Sequence, residues 1–166
     1  MVKATKDNRP FSSGVFDLEE FNIYTKVIDL PLDGIPTYLE EGINGVCTGG
    51  SALFNVFSNK RRVVKNDLIT IFPYQLASIT EISTDFAVIF FKVPKKLFMD
   101  TINGLGRLTL DYFFYMRKYY SSPLSEEEYK RFVHFCHILS CRVDLSCACL
   151  MRKPVMYLLR LYSWPS

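Results

Sequence analysis

The alternation of apolar and polar residues is most regular between residues 63 and 91, where short apolar runs are separated by turn-forming residues. Leu68–Phe72 is a β-favouring run that begins after the turn pair Asn66-Asp67 and stops at Pro73, because proline cannot donate a ladder hydrogen bond. Phe86–Phe91 is apolar at successive positions, which is typical of a strand buried on both faces. Short strands joined by tight turns predict a small β-sandwich or β-barrel.

Segments upstream of this region also predict strands. Phe21–Asp29 alternates along its length, and Tyr38–Cys47 is a weaker candidate that the polar residues 40–42 interrupt. Ser51–Phe57 alternates better, and the strand period of two assigns its residues to two faces: Ala52, Phe54 and Val56 on one, and Leu53, Asn55 and Phe57 on the other. The basic run Lys60–Arg62 is predicted to be a solvated hairpin tip rather than a phosphate or partner site.

From Pro94 onward the hydrophobic period changes from two residues to about 3.6, which predicts helices. The expected helices span residues 95–103, 107–120, about 125–142 and about 147–162, and the last contains Pro154. Ser125 and Glu128 have the spacing of a capping box, in which each side chain bonds the backbone amide of the other residue. The third helix is expected to carry one apolar stripe, formed by Tyr129, Phe132, Val133, Cys136 and either Leu139 or Ser140.

Composition is that of a globular protein of about one domain. The 166 residues are 49% hydrophobic and 22% charged, and an aromatic content of 15% favours a β-rich core or a ring-lined cavity. The formal net charge is +3, which is modest for a nucleic-acid surface. Five cysteines, no signal-like leader and no apolar run of about 18 residues predict a cytoplasmic protein.

The order of a turn Asp67, a short apolar strand, Pro73 and a bridge into the next strand resembles the second half of a cupin barrel. With the helical tail, the region from Gly45 to Val93 resembles the N-terminal effector-binding and dimerisation domain of AraC-type transcription regulators. The resemblance covers residues 21–162 and implies an α+β fold, a cupin-like β-barrel of jelly-roll type followed by a C-terminal helical dimerisation region. The barrel sensor is expected at 1–93 and the helical linker and dimerisation region at 94–166.

This resemblance also implies partners. The expected assembly is a homodimer with a possible small-molecule effector, a sugar or another metabolite, and no membrane. DNA would be bound by a helix-turn-helix domain that is not among these residues and is expected in a longer parent chain. The simplest closed arrangement is an isologous antiparallel pairing. The expected dimer surface lies on the last two helices and comprises Phe132, Leu139, Met151, Leu158 and Leu159.

Metal-dependent cupin chemistry is disfavoured, because such enzymes need histidine and carboxylate ligands projecting into the barrel. Both histidines, His134 and His137, lie on the predicted third helix, and Ala77 stands where metal-binding cupins place a histidine after the strand-end proline. Zinc held by His134, His137 and nearby cysteines (Cys136, Cys141, Cys147, Cys149) is conceivable, but ordinary helix packing is favoured since no CxxC pair occurs. We therefore expect no catalytic residue, metal or cofactor.

An aromatic-lined interior would suit a small molecule. The residues predicted to form its wall are Tyr38, Leu53, Asn55, Phe57, Thr70, Phe72 and Phe90. Asn55 and Thr70 stand out as polar residues in apolar strands, although each could equally face solvent. Two alternatives remain open: a stand-alone cupin-like protein or metal-independent enzyme that uses Asn55 or Thr70, and an interaction module with a filled interior.

Overall fold

The computed structural model describes residues 22–105 and 110–140 of the chain. The described β-strands are β1 (Ile23–Tyr24), β2 (Thr37–Tyr38), β3 (Gly42–Gly49), β4 (Ser51–Val56), β5 (Asn59–Val64), β6 (Asp67–Ile71), β7 (Leu76–Thr80), β8 (Ala87–Val93) and β9 (Ser121–Pro123). The described helices are α1 (Lys95–Leu105), α2 (Leu110–Lys118) and α3 (Glu126–Ser140), with a 3-10 turn at Val27–Asp29. Within these residues no helix is long and apolar enough to cross a membrane.

The strands form two antiparallel sheets. The five-stranded sheet has the order β1-β8-β3-β6-β9, and the four-stranded sheet has the order β2-β7-β4-β5. The expected α+β class is confirmed, but the described sheets do not close into a barrel, so the predicted closure is wrong. A barrel needs an unbroken hydrogen-bonded ladder around its circumference, whereas β1 and β2 are two residues long and β9 is three.

Side chains from both sheets share one apolar core. On β4 the buried face carries Phe54, and Phe90 contributes from β8, as the alternation of each strand requires. The core consists mainly of aliphatic residues: Ile43, Val56, Val63, Ile69, Ile71, Ile79 and Val88. The two sheets are therefore the layers of a β-sandwich.

Strand β8 is buried on both faces, as its continuous apolar sequence predicted. Phe90 lies in the sandwich core, and Phe91 points away from the core yet is only 1% exposed. Its ring stacks on Phe132 of α3 at a centroid distance of 6.3 Å and meets Phe135 edge-on at 6.4 Å. Helix α3 thus covers the outer face of the five-stranded sheet with its predicted apolar stripe.

Three local expectations differ from the structure. The strand expected at residues 21–29 is reduced to β1 plus a 3-10 turn, because only two of its residues pair with β8. The basic run Lys60–Arg62 lies within β5 and not at a hairpin tip, since Phe57 adopts a left-handed φ of 54° and closes the turn earlier. The segment expected only to end a helix at Ser121 instead forms β9 beside β6.

Tyr120 connects the end of α2 to both sheets. Its backbone carbonyl accepts the Thr70 amide of β6 at 2.8 Å. Its buried hydroxyl lies 2.8 Å from the Phe54 carbonyl oxygen and 3.0 Å from that of Asn59, and it can donate its proton to either. Burial raises the pKa of Tyr120 to about 12, so the phenol stays protonated in the folded state.

The capping box predicted at the start of α3 is confirmed. The Ser125 amide donates to the Glu128 carboxylate at 2.8 Å, and the Glu128 amide donates to Ser125 Oγ at 3.3 Å. The hydrogen bonds from Ser125 lower the pKa of Glu128, because they stabilise its charged form. The cap fixes where α3 leaves β9, and so where its apolar stripe meets the sheet.

We expect Tyr120→Phe to reduce the free energy of unfolding by about 1–3 kcal/mol, because the Phe54 and Asn59 carbonyls lose the hydroxyl that donates to one or the other. Urea unfolding measures the change, and Tyr115→Phe, at a tyrosine that is 39% exposed, is the matched control. Equal effects at both sites would contradict the role given to Tyr120. The folded pKa is raised above the ordinary value of 10, so the hydroxyl's contribution is present below pH 10 and is lost as the pH rises towards about 12.

We expect Ser125→Ala to destabilise the protein by about 1 kcal/mol, because the cap of α3 loses its side-chain acceptor. Ser58→Ala, at an exposed turn position, is the control and should change stability little. Because the pKa of Glu128 is lowered in the folded state, the stabilisation that its charged form gives the cap is present at neutral pH. This stabilisation is lost as the pH falls through the folded pKa. If Ser125→Ala lowers the free energy of unfolding at pH 7 by no more than Ser58→Ala does, Ser125 does not stabilise α3 as a cap.

Candidate functional site

The seven residues predicted to line a cavity do not form one wall. Phe90 lies in the sandwich core, and Phe57 packs against that core from the β4–β5 turn. Leu53 and Asn55 alternate with the core-facing residues of β4, so they lie on the outer face of the four-stranded sheet. Their role as ligand contacts stays a prediction, but they do not share a surface with Phe90.

The other three residues are also dispersed. Tyr38 lies on the edge strand β2 and is 64% exposed. Thr70 is buried on the outer face of the five-stranded sheet, opposite the side on which Ile69 and Ile71 enter the core. Phe72 contacts the ring of Phe98 in α1 at 4.8 Å. Thr70 and Phe72 therefore lie towards the helices and not towards the sandwich interior.

A buried polar pair lies on this helix-facing side of the sheet. Asn44 of β3 is 8% exposed, and its Nδ2 donates to Thr70 Oγ1 at 3.3 Å. Asn44 Oδ1 has no hydrogen-bond partner within the described part of the chain. A buried polar atom that lacks a partner costs about 1–3 kcal/mol, so the surroundings of this oxygen favour a hydrogen-bond donor. Asn44 is not among the residues predicted from the sequence, although it shares the feature that distinguishes Thr70: it is a polar residue inside an apolar segment, residues 43–46.

A second cluster joins α2 to the β4–β5 hairpin through cation–π contacts. The Arg117 guanidinium lies 3.5 Å from the Phe57 ring centroid, and Arg61 lies 5.1 Å from that of Tyr119. Tyr119 in turn stacks on Tyr115 at 4.5 Å. Each such contact is worth about 0.5–1 kcal/mol at an exposed site, so the cluster helps to dock α2 on the sheet edge. Arg61 is thus a packing residue and not part of a solvated tip.

The cysteines and histidines of the described region do not assemble into a reactive site. Cys136 is buried against the sheet side of α3, and burial raises the pKa of its thiol to about 12. Burial also raises the pKa of Cys47, so neither thiol is an activated nucleophile. His134 and His137 are exposed on the same helix, and no metal-ligating group of three occurs among the described residues. The other cysteines of the zinc hypothesis, Cys141, Cys147 and Cys149, lie outside that region.

The predicted dimer residues are only partly described. Phe132 is 6% exposed and stacks on Phe91 within the same chain, and Leu139 is half-buried. Met151, Leu158, Leu159 and the proline at 154 lie outside the described residues. The ring of Phe132 is therefore already covered by an intrachain contact.

No protein-family model matches this sequence, and no curated protein sequence matches it. Among solved structures, the fold is similar to the crystal structure of an apo ToxT variant from Vibrio cholerae strain SCE256, with a TM-score of 0.53 and 9% sequence identity. The similarity covers 83% of this chain and 53% of that chain, so this protein spans about half the length of that structure. At this identity the similarity establishes the fold alone.

We expect Phe132→Ala to lower the free energy of unfolding by about 3 kcal/mol, because it removes a buried ring from the contact between α3 and Phe91. The loss should be independent of protein concentration, since the contact is within one chain. Urea unfolding at two protein concentrations measures it. Ile138→Ala, on the same helix but 38% exposed, is the control, and a loss that appears only at low concentration would assign Phe132 to an intersubunit contact instead.

Proposed function

We propose that this chain is the effector-sensing and dimerisation domain of an AraC-type transcription regulator. The observation that carries the proposal is the fold similarity to ToxT, an AraC-family regulator whose N-terminal domain is β-rich and cupin-like. The match extends over about half of that structure, which fits a regulatory part whose DNA-binding domain lies elsewhere. The sequence resemblance to the same family rests on different features, the strand spacing and the helical tail.

The arrangement of layers supports a mechanism by population shift. Helix α3 is held on the outer face of the five-stranded sheet by aromatic contacts, and α2 is held at the edge of the four-stranded sheet by Arg117 and Tyr120. An effector that binds one arrangement of these layers more tightly than another shifts the helices towards it. Helices that form a dimer would then reorient attached DNA-binding domains.

An interaction module without a ligand is the second candidate function, favoured by one observation. The space between the sheets holds a continuous cluster of buried side chains that includes Phe54, Phe86, Phe90 and Tyr120. A metal-independent enzyme that uses both Asn55 and Thr70 has less support, since these residues lie on the outer faces of different sheets. Saturable binding of a small molecule by the purified chain would separate a sensor from a ligand-free module.

The dimerisation half of the proposal is tested by fusing residues 1–166 to a DNA-binding domain that occupies its operator only as a dimer. We expect the fusion to occupy the operator at protein concentrations at which the unfused domain does not, as measured by electrophoretic mobility shift. Leu158→Ala together with Leu159→Ala should abolish the gain, whereas Ile35→Ala, at an exposed loop residue of the sandwich, should not. Operator occupancy equal to that of the unfused domain would contradict the proposal.

A further inference from the structure

Asn44 lies at the centre of a row of side chains on the outer face of the five-stranded sheet. It is paired with Thr70 of β6 on one side and with Phe91 of β8 on the other. Residues directly opposite one another in antiparallel strands project from the same face, so these three side chains are neighbours. The adjacent residues Ile43 and Phe90 project into the sandwich core, which places the row on the side of the helices.

The amide of Asn44 has an unused hydrogen-bonding position that points to a ligand. Its Nδ2 donates to Thr70 Oγ1, while its Oδ1 is buried and has no partner among residues 22–105 and 110–140. Asn44 is more than nine-tenths buried, so this oxygen is shielded from solvent.

Aromatic contacts between sheet and helices flank this polar pair. Two residues beyond Thr70, Phe72 meets Phe98 of α1, and across the sheet Phe91 stacks on Phe132 of α3. The row of Thr70, Asn44 and Phe91 carries no charged side chain. The chemistry that matches such a site is a neutral hydrogen-bond donor attached to an aromatic or apolar body.

We propose that Asn44 and Thr70 are the polar anchor of the effector site, which lies between the five-stranded sheet and helices α1 and α3 and takes a small neutral molecule with a hydroxyl or N–H donor. The inference rests on the proposed sensor function for its regulatory meaning. A ligand that donates to Asn44 Oδ1 lies beside Phe91, whose ring holds Phe132 of α3. Occupancy of the site therefore acts on the packing of α3 directly, without transmission through the sandwich core.

The probe pair is phenol and anisole, which share the ring but differ in the hydroxyl donor. Amide chemical shifts of the 166-residue protein are followed during titration with each compound. We expect phenol to perturb the amides of Thr70, Phe91 and Phe132 saturably, and anisole to bind at least tenfold more weakly. Because this measurement uses the unaltered protein, it tests the proposed site even if a variant fails to fold.

Variants then test the anchor. The double variant Asn44→Leu, Thr70→Val replaces the polar pair with apolar side chains of similar shape and should weaken phenol binding at least tenfold. Ser78→Ala is the control, since Ser78 is also a buried polar residue but lies in the four-stranded sheet, and it should leave phenol binding unchanged.

Absence of phenol binding, equal affinity for phenol and anisole, or perturbations centred on other residues would overturn the proposed site. The outcome is separable from the proposed function. If the operator fusion dimerises but phenol does not bind at Asn44, the sensor proposal stands and this site falls. If phenol binds at Asn44 and the fusion stays monomeric, the site stands and the regulatory assignment falls.

Discussion

The contacts of Tyr120 connect the end of α2 to both sheets of the described structure. Its carbonyl oxygen accepts the Thr70 amide of the five-stranded sheet, and its hydroxyl reaches the carbonyls of Phe54 and Asn59 in the four-stranded sheet. A buried phenol in this position is costly unless both its ring and its oxygen are satisfied, so the site accepts little variation. Because Tyr120 directly precedes β9, it also sets where the chain leaves α2 and where α3 begins.

As a result, the helices take part in the packing of the sandwich. Phe91 on the outer face of the five-stranded sheet stacks on Phe132 of α3, and the cap at Ser125 begins α3 shortly after β9 ends. The sheet–helix boundary also contains the buried Asn44–Thr70 pair. A change at this boundary has few ways to be absorbed locally, which suits a protein layer that transmits a binding event.

Local sequence patterns predicted the parts of this fold that depend on neighbouring residues. The two-faced burial of β8 and the capping box of α3 follow from spacing alone, and both are confirmed. Closure of the sheets, the pairing of β9 with β6 and the contacts of Tyr120 depend on residues far apart in the sequence, where periodicity carries no information. The residues of the predicted ligand wall lie on different surfaces for a related reason. Alternation assigns Leu53 and Phe54 to opposite faces of the strand, but it does not predict which face points into the core.

Native-state hydrogen exchange measures the coupling between the sandwich and the helices most directly. We expect the Thr70 amide, the Phe57 amide that donates to the Leu76 carbonyl, and the amides in the middle of α3 to exchange through one opening, with a common free energy and a common denaturant dependence. Separate openings, with α3 exchanging at a much lower free energy while both sheets stay protected, would contradict it. In that case the helices would rest on the sandwich without being coupled to it.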